Sequence, residues 1–477
     1  MDEGKLRDLA NDCVHCGFCL PACPTYSLWG EEMDSPRGRI HLVTQVLDGA
    51  ELSPAAAEHF DRCLGCMACM TACPSGVHYD RLIEAARAWT DDPEHAPPVD
   101  PSAHLHEVAG ASGASEAGGG GGASEAHVAG EAAGAGEAAG VPVGGGRAAR
   151  AAIFAVFPYP KRLRALTGPL RGLQRTGLDR VMSRSGLPAK VSPTLGAAMK
   201  LAPQPGPPVP RGRLPERVMA RGTRRAVVGM LTGCVQSVFF PHVNLATARV
   251  LAAEGCDVVI PREQACCGAL SMHSGRAGEG ADFARATIET FERAGVDAIV
   301  VNSAGCGSAM KEYAEILADD PDWAGRAAAL SAKVRDFSEF LADLFERGGG
   351  PVAPRHPVPA VAAYHDACHL AHAQRITAAP RQLLSAIPDL DLREIPEAGM
   401  CCGSAGVYNL LQPEAAGELG QRKAESVLTT GAELLISANP GCSLQIASAL
   451  QARGETIAIA HTAEVLDASI RGVPLAR

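Results

Sequence analysis

The chain has 477 residues, 47% of them hydrophobic and only 4% aromatic, with a formal charge of −10 at pH 7 and a pI near 5.9. That length suggests two to four domains with aliphatic cores, and the acidic balance speaks against a nucleic-acid binder. The polar opening MDEGKLRDLANDC is not a secretory signal, no apolar run approaches the roughly 18 residues of a membrane span, and 17 cysteines without export imply a reducing, cytoplasmic compartment and metal chemistry.

Residues 1–90 read as a helical domain built around two copies of one run. Cys13-Val14-His15-Cys16-Gly17-Phe18-Cys19-Leu20-Pro21-Ala22-Cys23-Pro24 and Cys63-Leu64-Gly65-Cys66-Met67-Ala68-Cys69-Met70-Thr71-Ala72-Cys73-Pro74 both spell C-x2-C-x2-C-x3-C-P. This is the ligand run of two-cluster ferredoxins, in which the fourth cysteine serves the other cluster. Soft thiolates suit an iron–sulfur cubane, and the tight spacing lets one loop wrap three of its corners. Cys13, Cys16, Cys19 and Cys73 are therefore assigned to one [4Fe-4S] cluster, and Cys63, Cys66, Cys69 and Cys23 to a second. A disulfide framework is disfavoured without a secretory signal, and zinc sites usually pair two C-x2-C knuckles. Between the runs, Pro36 opens a predicted helix that buries Ile40, Leu42, Val43, Val46 and Leu47. Another helix is predicted over 79–89. The arginines of Ser35-Pro36-Arg37-Gly38-Arg39-Ile40 either face solvent or neighbour the clusters.

Residues 91–150 change character. They have no apolar side chain larger than valine between Val108 and Val143, and nine acids against Arg147 and Arg150. Such composition predicts a disordered acidic linker. Residues 151–223 are the opposite: over 151–220, twelve bases face only Asp179 and Glu216. Ile153, Phe154, Val156, Phe157, Leu163, Leu166, Leu170 and Leu173 give this basic stretch an apolar face. It reads either as a helical connector docked on its own protein or as a peripheral contact with an anionic membrane. A stiff Pro-rich linker over 203–210 follows.

From 224 the pattern becomes α/β and occurs twice, over 224–350 and 351–477. Strands are predicted at 226–231, 257–260 and 297–301, and again at 360–364, 392–395 and 433–437. The cysteines after them repeat with offsets of 134, 135 and 136 residues: Cys234 and Cys368, Cys266 and Cys401, Cys306 and Cys442. The tails repeat loosely, 336–341 resembling 461–466. Strand–helix alternation implies parallel sheets, and loops at the carboxyl ends of their strands gather in one crevice. Cys234, Cys266, Cys267 and Cys306 are expected to share one pocket, and Cys368, Cys401, Cys402 and Cys442 another. Both quartets are candidate cofactor ligands. Gly268 and Gly403 allow close backbone approach, and Cys256, which has no counterpart, reads as structural. His365, His369 and His372 flank Cys368. Surface or capping roles are the plainer reading of each, with cluster tuning or proton transfer as the alternative.

The paired ferredoxin runs together with Cys266-Cys267-Gly268 and Cys401-Cys402-Gly403 resemble the glycolate oxidase iron-sulfur subunit family. Its wider relations include the iron-sulfur subunit of anaerobic glycerol-3-phosphate dehydrogenase, lactate-utilisation iron-sulfur proteins and heterodisulfide reductase subunits. The resemblance covers 1–90 and about 224–470. It implies a multidomain α plus α/β fold, a helical two-[4Fe-4S] ferredoxin followed by two tandem cysteine-rich (CCG) domains. The implied function is electron transfer from a separate flavoprotein that oxidises glycolate or another 2-hydroxy acid, toward a membrane acceptor such as quinone. That would place the chain on the inner face of the cell membrane, with further iron–sulfur clusters in the CCG domains as an open addition. The fullest CCG pattern ends in C-x2-C, whereas the matching positions here are Ala309 and Gln445. That departure weakens the alternative of a heterodisulfide reductase-like catalyst. No G-x-G-x-x-G or Walker loop is present, so no catalytic residue and no flavin or nicotinamide site is assigned.

Overall fold

A computed structural model describes residues 3–99, 146–203 and 214–475. The disordered-linker reading of 91–150 falls, over 100–145, outside the described residues, as does most of the 203–210 segment.

The N-terminal unit is helical, with longer helices at Glu3–Asn11, Pro36–Leu47, Pro54–Arg62 and Tyr79–Asp91. Two of these start the same way. Ser35 and Ser53 accept from the amides of Gly38 and Ala56, and a proline follows each cap, which satisfies an orphan donor and presets the first helical φ. Leu6, Ile40, Val43, Phe60, Leu82 and Ile83 form the core, with Cys63 and Cys69 at its edge. Arg39 does not face solvent. It is 1% exposed and binds the Asp34 carboxylate at 3.1 Å and the His59 carbonyl at 2.6 Å.

Helices Arg147–Val156, Pro160–Thr176, Leu178–Ser185, Leu187–Val191 and Pro193–Lys200 form the basic connector. One face is docked on the protein. Ile153, Phe154 and Leu163 are buried, the Arg276 guanidinium lies 4.8 Å from the Phe154 ring centre, and Arg150 pairs with Asp61 at 2.7 Å. The other face leaves Leu178, Val181, Leu187, Val191 and Leu195 exposed.

The two α/β domains share one topology. In the first, β1 (Arg217–Val218), β2 (Ala226–Leu231), β3 (Cys256–Val259), β4 (Ala298–Val301) and β5 (Val334–Asp336) lie in the order β1-β3-β2-β4-β5. In the second, β6 (Ala360–His365), β7 (Leu390–Glu394), β8 (Leu434–Ser437) and β9 (Ala458–Ala460) lie in the order β7-β6-β8-β9. Apart from antiparallel β1, all pairings are parallel. The register repeats as well: Ala226 faces Cys256 as Ala360 faces Leu390, and Leu231 faces Val301 as His365 faces Ser437. In each domain the chain leaves its central strand, β2 or β6, pairs on one side, then crosses to the other. The crevice beyond the central strands is the switch point where such folds bind ligands.

The loose tail repeat has a structural cause. Asp336 and His461 each cap the last helix of their domain, and Glu339 and Glu464 reach back to the cap amide, giving two capping boxes. Short strands β1, β5 and β9 had no counterpart in the sequence pattern.

Candidate metal centres

The two ferredoxin loops share a backbone. His15 and Gly17 in the first, and Gly65 and Met67 in the second, have φ of 52°, 85°, 63° and 61°. The same two positions of C-x2-C-x2-C therefore turn left-handed, with glycine at one and a side chain at the other. A left-handed side chain costs on the order of 1 kcal/mol, so the loop holds a curvature that its ligands require. One groove is lined by Cys13, Cys16, Cys19 and Cys73, with Cys69 beside them. Cys23, Cys63, Cys66 and Cys69 lie close enough to repel one another as thiolates. Burial and then the neighbouring sulfurs push Cys66 and Cys69 above the usual thiol range. Crowded, desolvated thiols of this kind ionise together only around a bound cation, so the donor set fits a cluster. Burial also acts on Cys63, but the Arg39 and Arg87 guanidiniums, the Tyr79 hydroxyl and the Gly65 amide outweigh it and hold this thiol low.

The loops differ in exposure. Around the first, Val14 and Phe18 are 68% and 67% exposed, and Cys16 is exposed. The second is buried against the second α/β domain: Leu64, Cys66 and Ala68 pack with Cys368, Cys401 and Tyr408. The joint is pinned by His372, whose ring nitrogens lie 3.0 Å from the Thr71 hydroxyl and 2.9 Å from the Gly399 carbonyl. On the first α/β domain, Arg87 donates to the His273 carbonyl at 2.5 Å, and His273 Nδ1 lies 3.0 Å from Glu84.

In the α/β domains each cysteine quartet converges. The sulfurs of Cys266 and Cys234 lie 3.5 Å apart, Cys267 is in hydrogen-bond contact with Cys266 and Cys306, and in the second domain Cys401 is in such contact with Cys368, and Cys402 with Cys401 and Cys442. In each quartet one sulfur, Cys266 or Cys402, is held low by its thiol neighbours. The repeated geometry of the turn explains the adjacent glycines. Gly268 and Gly403 both have φ of 86°, and a Cβ would meet the Gly280 or Ala416 carbonyl at 2.9 and 2.5 Å. Cys256 is buried in β3, away from both quartets.

Separate pockets were expected for the quartets. Instead, cysteines of both line a single cavity of about 450 Å³, together with Cys66 and Arg87 of the ferredoxin and Phe157, Leu163 and Leu170 of the connector. The cavity arises because the two domains face each other across their switch points: the Ala304 amide, just before Cys306, donates to the Ala438 carbonyl, just before Cys442. The positions where a fifth cysteine would stand are filled. Ala309 lies in the core, and Gln445 donates to Ala416 at 2.7 Å and accepts from Asn409 at 3.1 Å.

The histidines also depart from the plainer reading. His365 is buried and His369 half-buried, so neither is a surface residue. His369 lines the cavity, stacks 4.9 Å from His273, and is pushed down to about 3 by burial and then by the nearby cations. Burial pulls His273 down, but Glu84 outweighs it and holds the ring above its usual value. Behind it, burial raises Glu312 to about 7. Sequence spacing gave no sign of Lys423, which is buried and donates to the Glu397 and Ala398 carbonyls at 2.8 and 3.4 Å.

Two cubane-type cysteine sets, joined to two parallel-sheet domains whose cysteines meet at their switch points, define an iron–sulfur electron-transfer protein. Comparison with known proteins narrows this. Residues 9–77 match the 4Fe-4S dicluster domain, 228–311 and 362–447 the cysteine-rich CCG domain, and 145–202 the linker region of the glycolate oxidase iron-sulfur subunit. The chain is 35% identical to the probable glycolate oxidase iron-sulfur subunit of Bacillus subtilis (strain 168), over 98% of this chain and 94% of that one. It is 32% identical to the glycolate oxidase iron-sulfur subunit of Escherichia coli (strain K12), over 96% and 93%. A lactate utilization protein A of Exiguobacterium is 34% identical over 51% of this chain and 98% of that one. The chain belongs to the glycolate oxidase iron-sulfur subunit family.

Proposed function

We propose that the chain is the electron-transfer subunit of a glycolate-oxidising complex, taking electrons from a flavoprotein at its exposed first ferredoxin loop and delivering them to a quinone in the shared cavity. The observation that carries this is the burial gradient of the ligand sets. The Cys13–Cys19 loop is open and fringed by Val14 and Phe18, a surface suited to a partner, while Cys66 of the second loop packs against Cys368. Cys13, Cys16, Cys19 and Cys73 would hold the first cluster, Cys63, Cys66, Cys69 and Cys23 the second, and the CCG quartets any further ones. When bound, these clusters supply one-electron transfer.

The chain's own residues supply the rest. Reducing a quinone to a hydroquinone takes two electrons and two protons. Neutral His369, whose Nε2 has no hydrogen-bond partner, can donate or accept a hydrogen bond at the cavity wall. Glu312, poised near 7, and the His273–Glu84 pair form a proton reserve behind it. Leu163, Leu166 and Leu170 give the cavity an apolar side that suits a lipophilic acceptor. Heterodisulfide chemistry is disfavoured by the engaged Gln445 and buried Ala309.

Among the described residues no helix is long and apolar enough to cross a membrane. Approach to a membrane quinone, at the inner face of the cell membrane, falls instead to the outer face of the basic connector, where Leu178, Val181, Leu187 and Val191 are exposed. Sedimentation with anionic vesicles should weaken as salt rises, since each base contributes about 1 kcal/mol at such a surface. Equal binding to neutral vesicles, or none, would remove the membrane contact. The relay itself is tested with Cys66→Ser: the partner flavoprotein should still reduce the remaining N-terminal cluster, while quinone reduction by the complex stops. Undiminished quinone turnover would break the proposed order.

A further inference from the structure

The two α/β domains share strand register, so each residue at one site has a counterpart at the other. At the end of β2, pairing with Val301, stands Leu231. It is 2% exposed and belongs to the apolar core. At the end of β6, pairing with Ser437, stands His365. It is 1% exposed, and neither ring nitrogen has a nitrogen or oxygen partner. The polar atoms nearest the ring are the sulfurs of Cys402 and Cys442. An imidazole stripped of water and left so poorly partnered is costly to bury. A ring nitrogen of His365 and the sulfurs of Cys402 and Cys442 lie within 4.8 Å of one another, a spacing that a metal ion can bridge.

We propose that His365 is a fifth ligand of an iron–sulfur cluster in the second CCG domain, beside Cys368, Cys401, Cys402 and Cys442. This rests on the reading that the domain binds a cluster at all. The residue that would otherwise supply a fifth donor is Gln445, and its amide is fully committed to Ala416 and Asn409. The end of β6 offers the imidazole instead. Coordination uses the lone pair of one ring nitrogen and changes no oxidation state. As the fifth donor, a neutral imidazole carries one negative charge less than the fifth thiolate of the fullest CCG pattern would, which favours a higher potential, as histidine ligation does in Rieske centres. The first domain, with Leu231 at the same place, has only its four thiolates. The duplicated domains would thus hold chemically distinct sites, the mixed-ligand one being that against which Cys66 packs.

The test uses the full chain, reconstituted anaerobically with iron and sulfide, and compares it with His365→Leu and His365→Cys. Leucine is the residue the fold already accommodates at position 231, and cysteine keeps a donor. Pulsed electron paramagnetic resonance of the native chain should show a strongly coupled, directly bound nitrogen. That coupling should vanish in both variants, with His365→Cys keeping its iron and His365→Leu losing part of the iron above the roughly eight atoms of the dicluster unit. Iron above that number with no bound nitrogen in the native chain would overturn the ligand assignment, as would a coupling that survives in His365→Leu. Iron that never exceeds the dicluster number would instead overturn the underlying reading of a CCG cluster, so the two failures are told apart by iron count.

Discussion

The first and second CCG domains place four cysteines on the same frame and then surround them differently. Around the first quartet the neighbours carry no charge: Leu231 ends the strand, the Tyr313 hydroxyl donates to the Cys267 carbonyl at 2.5 Å, and Thr287 donates to the Phe283 carbonyl at 2.8 Å. Around the second, His365 stands where Leu231 does. Lys423 stands where Thr287 does, because the helix bearing each is keyed to its turn by the same contact, Gly268 over Gly280 and Gly403 over Ala416. The ferredoxin loop packs its Cys66 on the second quartet. Duplication thus fixed where the sulfurs go, which depends on strand ends. It left free the charge and polarity around them, which depend on single side chains. In a relay that asymmetry is useful, since two centres with identical surroundings would have identical potentials and give the electron no preferred direction.

Two experiments sharpen this contrast. The larger effect is expected at Lys423. Its ammonium is the cationic group behind the second quartet: burial lowers its pKa, and the thiolates of Cys368, Cys402, Cys401 and Cys442 work against that. Lys423→Met removes the charge and the donor to the Glu397 and Ala398 carbonyls. It should destabilise the second domain by about 3 kcal/mol, the range for losing hydrogen bonds to a charged group, and lower the potential of any cluster there. Thr287→Val in the first domain should cost about 1 kcal/mol, one neutral bond. Equal losses, measured as urea midpoints, would mean the two sites are alike.

A smaller effect distinguishes the two capping boxes by pH. In the first, burial raises the Asp336 carboxyl to about 6. The native state therefore keeps this proton after the unfolded chain has released it, and stability falls as pH climbs from the ordinary Asp value to about 6. In the second cap the two partners oppose each other. Burial raises Glu464 to about 7, so its contribution falls with rising pH. Burial lowers His461 to about 4, so the unfolded chain binds a proton that the native cap refuses, and that contribution rises across about 4 to 6.5. Between pH 4.5 and 6 the helix Phe337–Gly348 should lose on the order of 1 kcal/mol of protection in hydrogen exchange, one pKa unit being worth 1.36 kcal/mol. The helix Thr462–Arg471 should change little. Parallel slopes in the two helices would show that His461 does not counterbalance Glu464.

The features that were legible in the sequence are those whose cause is local. The cysteine runs can be read because a cubane needs its ligands within one tight loop. Strands β2, β4, β6 and β8 can be read because central parallel strands are continuous apolar runs. The repeat can be read because strand-end cysteines recur at nearly constant offset. Even the faint likeness of 336–341 to 461–466 was real, being the capping box itself. Strands β1, β5 and β9, of two or three residues each at sheet edges, carry too little pattern to announce themselves. What only the tertiary structure decided is what crosses between segments far apart in the chain. Facing the two switch points together merged the expected pockets into one cavity, and docking the ferredoxin set Cys66 on Cys368, about three hundred residues away in sequence. Folding also turned Arg39, His365 and Lys423 inward. A single arginine, histidine or lysine carries no periodicity. Its side-chain direction follows from the packing of neighbours remote in the chain, and spacing alone contains no record of them.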